Sequence, residues 1–168
     1  MLSLSKKMDY ALLALSYLTR AQTGRAVNTK EIAEQNEIPV ELLAKILQKL
    51  TKAKILVSVP GPTGGYHLAH AASEISIGAV IEVIDGLPAL MHCMKIADND
   101  CVHIGRCTIR SPLMRINARI FQMLSHISLA EICGDDSGDG ALPIVRQLET
   151  RPQPDFISNS PQSAISGP

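Results

Sequence analysis

Apolar side chains recur at every third or fourth position in several segments of this 168-residue chain, and that helical spacing is the strongest constraint on its fold. Aromatic residues make up only 3% of the chain and Trp is absent, so aliphatic side chains must fill the core. This composition favours closely packed helices over an aromatic-rich sheet sandwich. The length allows one main domain with a smaller appendage. We predict a mainly α-helical fold with a small β-hairpin.

Residues 1–86 have the pattern of a helix-turn-helix domain. Ser5 can cap a first helix, a short second helix begins at Thr29, and a turn over residues 37–39 leads into a third helix over residues 40–53. The third helix has an apolar inner face and a polar outer face, formed respectively by Leu43, Ile46, Leu47 and Leu50 and by Lys45, Gln48, Lys49 and Lys52. A short helix, a tight turn and a helix with a basic outer face are typical of DNA-reading motifs, although an ordinary helical hairpin also fits.

A hairpin with a glycine-rich tip follows the third helix. Residues 55–59 and 66–69 are typical of two short strands around Pro60-Gly-Pro-Thr-Gly-Gly. Adjacent glycines let a backbone approach a phosphate closely, which indicates the wing of a winged helix-turn-helix, with a solvated hairpin tip as the alternative. Lysines would position the protein on double-stranded DNA, whereas Glu41, Ala44 and Gln48 would tune sequence choice. The candidate DNA-contacting residues are Thr29, Glu41, Lys45, Gln48, Lys49, Thr63, Gly64, Gly65 and Tyr66.

The formal net charge is zero, but the charges divide unevenly along the chain. Residues 1–133 contain 14 Lys and Arg against 11 Asp and Glu, and residues 134–168 contain 2 against 5. A basic body therefore precedes an acidic end, and nucleic acid is not excluded as a partner. Residues 134–168 are rich in Gly, Asp, Ser and Pro without any apolar period, which predicts a disordered tail.

The sequence has no apolar block of the kind found in a signal peptide or a membrane span. We therefore expect a cytoplasmic protein with no membrane partner, in a compartment that keeps thiols reduced. Under those conditions the four Cys are better explained as metal ligands or reactive thiols than as disulfides.

Three of the four Cys lie in residues 87–107, called here the cysteine segment, which follows a fourth helix ending at Asp85-Gly86. Cys93, Cys101 and Cys107 have the spacing C-x7-C-x5-C. Thiolates suit iron-sulfur clusters and zinc, and the absence of a C-x2-C pair argues against a zinc ribbon. Reduced structural cysteines and a redox thiol pair remain alternatives. Cys133, at the end of an apolar helix stripe, is interpreted as a core or interface thiol.

Residues 108–133 predict one long helix. Its apolar stripe comprises Ile109, Leu113, Ile116, Ile120, Leu124 and Ile127. Roughly 24 residues at a rise of 1.5 Å give a rod of about 36 Å, which is too long for a domain of this size to cover. The stripe therefore predicts a homodimer in which each helix packs on its own copy, with packing within one protomer as the alternative.

Taken in this order, the motifs resemble those of the bacterial iron-sulfur winged-helix regulators IscR, NsrR and RirA. The resemblance covers residues 1–133 and depends on Leu4-Ser-Lys-Lys-Met-Asp-Tyr-Ala, Gly61-Pro-Thr-Gly-Gly-Tyr, the three Cys and Ile127-Ser-Leu-Ala-Glu-Ile. It implies a dimer crossed through the long helices, with each winged domain on one DNA half-site. It also implies a 2Fe-2S or 4Fe-4S cluster near the dimer interface that biases DNA affinity. Members control iron-sulfur assembly, iron uptake, or nitric oxide and redox responses.

The chain departs from this family's patterns at two places. IscR-type proteins have a His ligand three residues after the last Cys, where this chain has Arg110, and an Arg before the wing Gly-Pro, where it has Pro60. NsrR-type proteins instead use an Asp from the partner's first helix, which matches Asp9, while His103 within the cysteine segment is a competing ligand. The seven-residue first gap between Cys is closer to RirA and to regulators of the SUF assembly system.

Together with these motifs, the resemblance implies a transcriptional repressor whose DNA affinity depends on a cluster on Cys93, Cys101 and Cys107, with Asp9 as the fourth ligand. Without a Gly-rich phosphate loop or a Ser-His-Asp arrangement, the sequence predicts no enzyme. The alternatives are a metal-free winged-helix regulator, a zinc-stabilised interaction module, and a redox enzyme or thiol switch.

Overall fold

Six α-helices and one two-stranded hairpin form the part of the chain that the computed structural model describes, which comprises residues 4–21, 25–91, 94 and 103–134. In chain order these are α1 (Lys6–Arg20), α2 (Thr29–Gln35), α3 (Val40–Lys52), β1 (Leu56–Val59), β2 (Gly65–Leu68), α4 (Ile77–Ile84), a 3₁₀ turn (Ile104–Arg106), α5 (Arg110–His126) and α6 (Leu129–Cys133). The predicted mainly helical fold with a hairpin is confirmed. The predicted tail lies outside the described residues, except for Gly134. No helix among the described residues is long and apolar enough to span a membrane.

Polar side chains define where four of the helices begin. Ser5, Asn28, Ser76 and Ser128 each have extended backbone, and each accepts a hydrogen bond from the backbone N–H three residues later. Such caps satisfy N–H groups that have no partner within the helix. Asn28, rather than a residue inside α2, is therefore the residue that starts the helix-turn-helix.

Each helix of the helix-turn-helix is followed by a residue other than glycine with left-handed backbone. These residues are Glu37 after α2, with φ of 53°, and Lys54 after α3, with φ of 60°. After Glu37, the Ile38 N–H donates to the Ala33 carbonyl at 3.0 Å. After Lys54, the Ile55 N–H donates to the Leu50 carbonyl, also at 3.0 Å. These bonds satisfy carbonyls at the ends of α2 and α3 and set the direction in which the chain leaves each helix.

The hairpin contains one more paired segment than its sequence predicts. β1 and β2 are antiparallel with Leu56 opposite Leu68 and Val59 opposite Gly65. On the other edge of β2, Val27 and Tyr66 exchange two backbone hydrogen bonds of 2.9 and 2.8 Å. Val27, which precedes the N-cap of α2, is thus tied to the hairpin, and these two bonds hold the hairpin against the helix-turn-helix.

The core lies where α1, α3, α4, α6 and the start of the hairpin meet. Its largest fully buried side chains are Met8, Leu15, Val27, Ile32, Leu43, Leu47, Leu50, Leu56, Val80 and Leu129. The four residues predicted for the inner face of α3 are all buried, so the helical period of the third helix was interpreted correctly.

The predicted single helix over residues 108–133 is wrong, because it is divided into α5 and α6. Ile127 is extended, with φ of −82° and ψ of 124°, and Ser128 forms a capping box with Glu131. The Ile127 carbonyl accepts from the Ile77 N–H, and the Leu129 N–H donates to the Ile75 carbonyl, both at 2.8 Å. α5 has 17 residues, or about 26 Å at 1.5 Å per residue. The chain then turns back, and α6 packs on α1.

α4 and α5 cross closely at Gly78, which is buried. A Cβ at this position would meet the side-chain oxygen of Ser125 and lie 2.8 Å from the Ser125 Cα and 3.0 Å from its backbone nitrogen. Only a residue without a side chain fits here. The orientation of α5 relative to the winged domain therefore depends on this glycine.

Gly78→Ala should lower the midpoint of thermal unfolding by several degrees. Alanine favours a helix by about 1 kcal/mol over glycine, but overpacking costs about 1–3 kcal/mol, and the backbone of Ser125 cannot move aside as a flexible side chain would. The control is Gly105→Ala in the exposed 3₁₀ turn, where a Cβ would meet nothing within 4 Å. Calorimetry of the metal-free proteins compares the two variants, and equal midpoints would contradict the close crossing.

Candidate DNA interface and cysteine segment

The outer face of α3 is exposed and predominantly basic. Glu41, Lys45, Gln48, Lys49 and Lys52 are all exposed, as the period of the helix predicted. Ala44 is half-buried. Within the described residues, the ion pairs are Arg25 with Glu31 and Lys30 with Glu34, so no described carboxylate forms an ion pair with the α3 lysines. This face can accept the negative charge of a phosphate backbone.

α2, which precedes this face, is joined to α1 through Glu31. The Glu31 carboxylate accepts hydrogen bonds from the Tyr17 hydroxyl at 3.2 Å and from the Arg25 guanidinium at 2.5 Å. Partial burial raises the pKa of Tyr17, and the hydrogen bond and negative charge of Glu31 add to that effect, while Arg25 opposes it. Thr29, at the first position of α2, is half-buried.

The tip of the hairpin is exposed from Pro60 to Thr63, and its backbone turns at Gly61, where φ is 116°. Gly64 closes this turn with a 2.9 Å bond from its N–H to the Gly61 carbonyl. A Cβ on Gly65 would meet the Val27 carbonyl and lie 2.7 Å from the Asn28 nitrogen. Tyr66 is half-buried and packs against the core. Gly65 thus allows the close approach of Val27, and Tyr66 packs the hairpin on the core. The predicted DNA contacts of both residues stay predictions.

Cys107 is the described member of the three predicted cluster ligands. It is half-buried, has extended backbone, and lies between the 3₁₀ turn and the start of α5. Cys93 and Cys101 lie outside the described residues, so the structure does not test whether the three thiols converge. Among the side chains that are described, no three His, Cys, Asp or Glu residues form a group that could hold a metal.

The other residues considered for the cluster differ in exposure. Asp9 is exposed in the first turn of α1, and none of the described residues hydrogen-bonds or pairs with its carboxylate. His103 is exposed, and Arg110 is half-buried at the first position of α5. Cys133 is buried in the core, with 8% of its surface exposed, which agrees with its interpretation as a packed thiol.

The N-terminus of α1 is fixed to the end of α4, where the cysteine segment begins. The Ser5 N–H donates to one Asp85 carboxylate oxygen at 3.0 Å, and the Ser5 hydroxyl donates to the other. Asp9 lies one turn further along α1. No local pattern predicts this contact, because the two residues are 80 positions apart.

α5 leaves much of its apolar surface uncovered. None of its residues is buried in the protomer, and four large apolar residues at or in the helix are 40–59% exposed: Ile109, Met114, Ile116 and Met123. Among described residues, the contacts of α5 with other elements are chiefly with α4. Ile109, Ile116 and Met123 are seven positions apart and therefore lie on one face of the helix, where their exposed apolar surface is available to another chain.

The helix-turn-helix, the hairpin packed beside it and the exposed basic helix define a winged-helix DNA-binding protein. The chain belongs to the Rrf2 family, whose model is described as "Iron-dependent Transcriptional regulator" and matches residues 4–135. The predicted resemblance to IscR and NsrR is confirmed at the level of this family, whose members are transcriptional regulators rather than enzymes.

Named relatives and solved structures agree with this assignment. The chain is 33% identical over 131 residues to the transcriptional regulator NsrR of Oceanobacillus iheyensis, covering 78% of this chain and 89% of that one. It is 31% identical over 135 residues to IscR of Vibrio vulnificus, covering 80% and 79%. Its fold matches T. potens IscR with a TM-score of 0.60 and 27% identity, covering 80% and 88%. It also matches CymR, the global cysteine regulator of B. subtilis, with a TM-score of 0.61 and 24% identity, covering 79% and 97%.

Proposed function

We propose that this protein is a cytoplasmic homodimeric repressor whose affinity for operator DNA is controlled by an iron-sulfur cluster on Cys93, Cys101 and Cys107. The observation that supports this most is the place of Cys107, directly ahead of α5. α5 has an uncovered apolar surface for a second copy, and it crosses the winged domain at Gly78. A change at Cys107 therefore has a route to the DNA-binding elements through α5 and then α4, which contacts α3.

The donor chemistry of the cysteine segment fits an iron-sulfur cluster. Three thiols within 15 residues supply soft ligands, and no C-x2-C zinc pair accompanies them. Arg106 and Arg110 flank Cys107 in the chain and offset the negative charge that collected thiolates would bring. When bound, a cluster supplies a centre sensitive to redox state and small ligands. The residues of this chain hold that centre at the start of α5.

DNA binding is assigned to the outer face of α3 and to the wing. Lys45 and Lys49 are one turn apart on the exposed face of α3, where they reach phosphates, and Glu41, Ala44 and Gln48 tune the choice of sequence. The DNA backbone is contacted by Thr29 at the start of α2 and by residues 63–66 of the wing. In a dimer, two such surfaces address the two half-sites of an operator.

Replacing Lys45 and Lys49 with Ala should weaken DNA binding on every sequence to a similar degree. Each lost phosphate contact lowers the slope of log K against log salt by about 0.9. The double variant loses two lysines in each of the two subunits, so its slope should fall by about 3.6. Lys7→Ala on α1, also exposed, is the matched control and should keep the wild-type slope. Fluorescence anisotropy across a salt series measures all three proteins. An unchanged slope in the double variant would show that another surface binds DNA.

Asp9 is proposed as the fourth ligand, supplied by the partner subunit. Its carboxylate is exposed and has no partner among the described residues, whereas Arg110 occupies the place of a His ligand. Asp9→Ala should therefore keep a cluster on three thiolates with an altered absorbance spectrum. Ligation by His103 instead predicts that Asp9→Ala has no spectral effect.

Mixed dimers separate the possible sources of this ligand. Differently tagged Asp9→Ala and Cys107→Ala chains are purified as heterodimers, so the intact set of Cys belongs to the chain without Asp9. Cross-subunit ligation predicts a wild-type spectrum at that site. A spectrum identical to that of the Asp9→Ala homodimer would place the ligand within one chain and contradict the proposal.

A metal-free regulator is the second candidate function. The chain shares its fold with CymR, which is described as a global cysteine regulator, so the fold by itself does not imply a cluster. The identity of 24% supports the shared fold alone. A protein that contains no iron or sulfide after anaerobic purification, yet binds DNA, would favour it.

A further inference from the structure

The start of the cysteine segment is held on α5 by one side chain, Asn117. The amide nitrogen of Asn117 donates to the Pro88 carbonyl at 2.8 Å, and its amide oxygen accepts from the Leu90 N–H at 3.1 Å. All three residues are half-buried. By contrast, Ser125 and His126 hydrogen-bond to carbonyls of their own helix. Asn117 thus joins α5 to a segment 27–29 positions earlier in the sequence.

Chemistry fixes the orientation of this amide. The carbonyl of Pro88 can only accept, and the N–H of Leu90 can only donate, so the Asn117 nitrogen must face the first and its oxygen the second. An aspartate of the same shape would place an acceptor against the Pro88 carbonyl. Asparagine is also a poor helix former compared with alanine. Its presence inside α5 is explained by this two-point contact.

The contact gives the cysteine segment two attachments to the same helix. At its far end, Cys107 is followed after two residues by the first residue of α5. At its near end, residues 88–90 are bonded to Asn117, two turns into that helix. Directly after this attachment, the Met94 N–H donates to the Met91 carbonyl at 3.0 Å. α5 therefore fixes both ends between which the remaining thiols lie in the sequence.

We infer that Asn117 is a positioning residue that holds the near end of the cysteine segment on α5 and thereby sets the geometry with which its thiols bind a metal cluster. This inference depends on the proposed function, since it concerns the same ligands. It adds a second connection between the thiols and α5. A rearrangement of the thiols would act on α5 at Asn117 as well as through Cys107. Some residues do not bind a metal themselves but orient the side chains that do, and replacing them commonly changes how tightly the metal is held.

Asn117→Asp tests the inference, with Gln122→Glu as a matched control. Gln122 is exposed on the same helix, so the control introduces the same charge without disturbing the contact. In the metal-free proteins, hydrogen exchange of the Leu90 amide should become about tenfold faster in Asn117→Asp alone. After anaerobic loading with ferrous iron and sulfide, the variant should show a changed visible circular dichroism spectrum. It should also lose iron to a chelator about tenfold faster than wild type.

The possible outcomes separate the inference from the proposed function. Faster exchange at Leu90 with a wild-type spectrum and wild-type iron loss would show a merely structural contact and overturn the inference. Unchanged exchange would overturn it as well. If the wild-type protein itself takes up no iron and sulfide, the proposed function fails and the inference with it. Should Asn117→Asp not fold by far-ultraviolet circular dichroism, Asn117→Ala, which removes both bonds without adding charge, is judged by the same measurements.

Discussion

Replacing Cys107 with Ala should abolish cluster binding. Iron-sulfur clusters are held by about four protein ligands, and this change removes one of the three thiolates that the chain offers in the cysteine segment. Iron and sulfide in the anaerobically prepared variant should fall to background, and its visible absorbance should disappear. Because Cys107 is half-buried outside the helices, the fold should persist. The DNA affinity of the variant should then equal that of metal-free wild-type protein.

Cys133→Ala is the matched control for this prediction. Its thiol is buried in the core, so the loss of its sulfur should cost about 1 kcal/mol of stability while the cluster stays intact. Iron and sulfide assays with far-ultraviolet circular dichroism compare the two variants. A Cys107→Ala protein with full iron content, or a Cys133→Ala protein without iron, would show that the ligands were assigned wrongly.

Replacing Ile116 with Glu should convert the dimer into monomers. In the protomer Ile116 is 46% exposed, so a charge is tolerated there until a second copy covers it. Burying an unpaired carboxylate in an interface costs several kcal/mol, which is enough to dissociate a moderate dimer. A monomer contacts one half-site alone, and its operator affinity should fall by about 100-fold or more because the linked second contact is lost.

The matched control for the dimer is Ala118→Glu, which places the same charge on an exposed residue nearly opposite Ile116 around the helix. This variant should remain dimeric with wild-type DNA affinity. Light scattering coupled to size-exclusion chromatography gives the masses. If Ile116→Glu remains dimeric and folded, then the uncovered face of α5 around Ile116 does not form the dimer.

The winged domain could be predicted from sequence because local patterns determine it. Each of its patterns lies within a short stretch of sequence: the apolar period of α3, the lysines on the opposite face of that helix, and the Pro-Gly tip of the hairpin. Other features left no such signal. Glu37 and Lys54 take the left-handed backbone that usually indicates Gly, and the pairing of Val27 with Tyr66 joins distant segments. The contacts of Asn117 are equally hidden, since its partners are backbone groups of another segment.

The division between α5 and α6 did leave a signal, but a competing pattern concealed it. Ser128 and Glu131 have the spacing of a capping box, which starts a helix. The apolar residues Ile120, Leu124 and Ile127 continue the helical period up to that point, so the period alone predicts one rod. Pairing of Ser128 with Ser76 ends α5 there. Contacts with the rest of the chain thus decided between two local patterns.

Control of DNA binding by the cluster is tested most directly by comparing the operator affinity of one preparation with and without its cluster. Wild-type protein is purified anaerobically, assayed for iron, sulfide and visible absorbance, and divided, and one half is stripped with a chelator under the same conditions. If the cluster controls DNA binding, the untreated half should contain iron and sulfide, and the two halves should differ in DNA affinity by about tenfold or more, a coupling of about 1.4 kcal/mol. Equal affinities, or wild-type protein without iron and sulfide, would contradict control by the cluster.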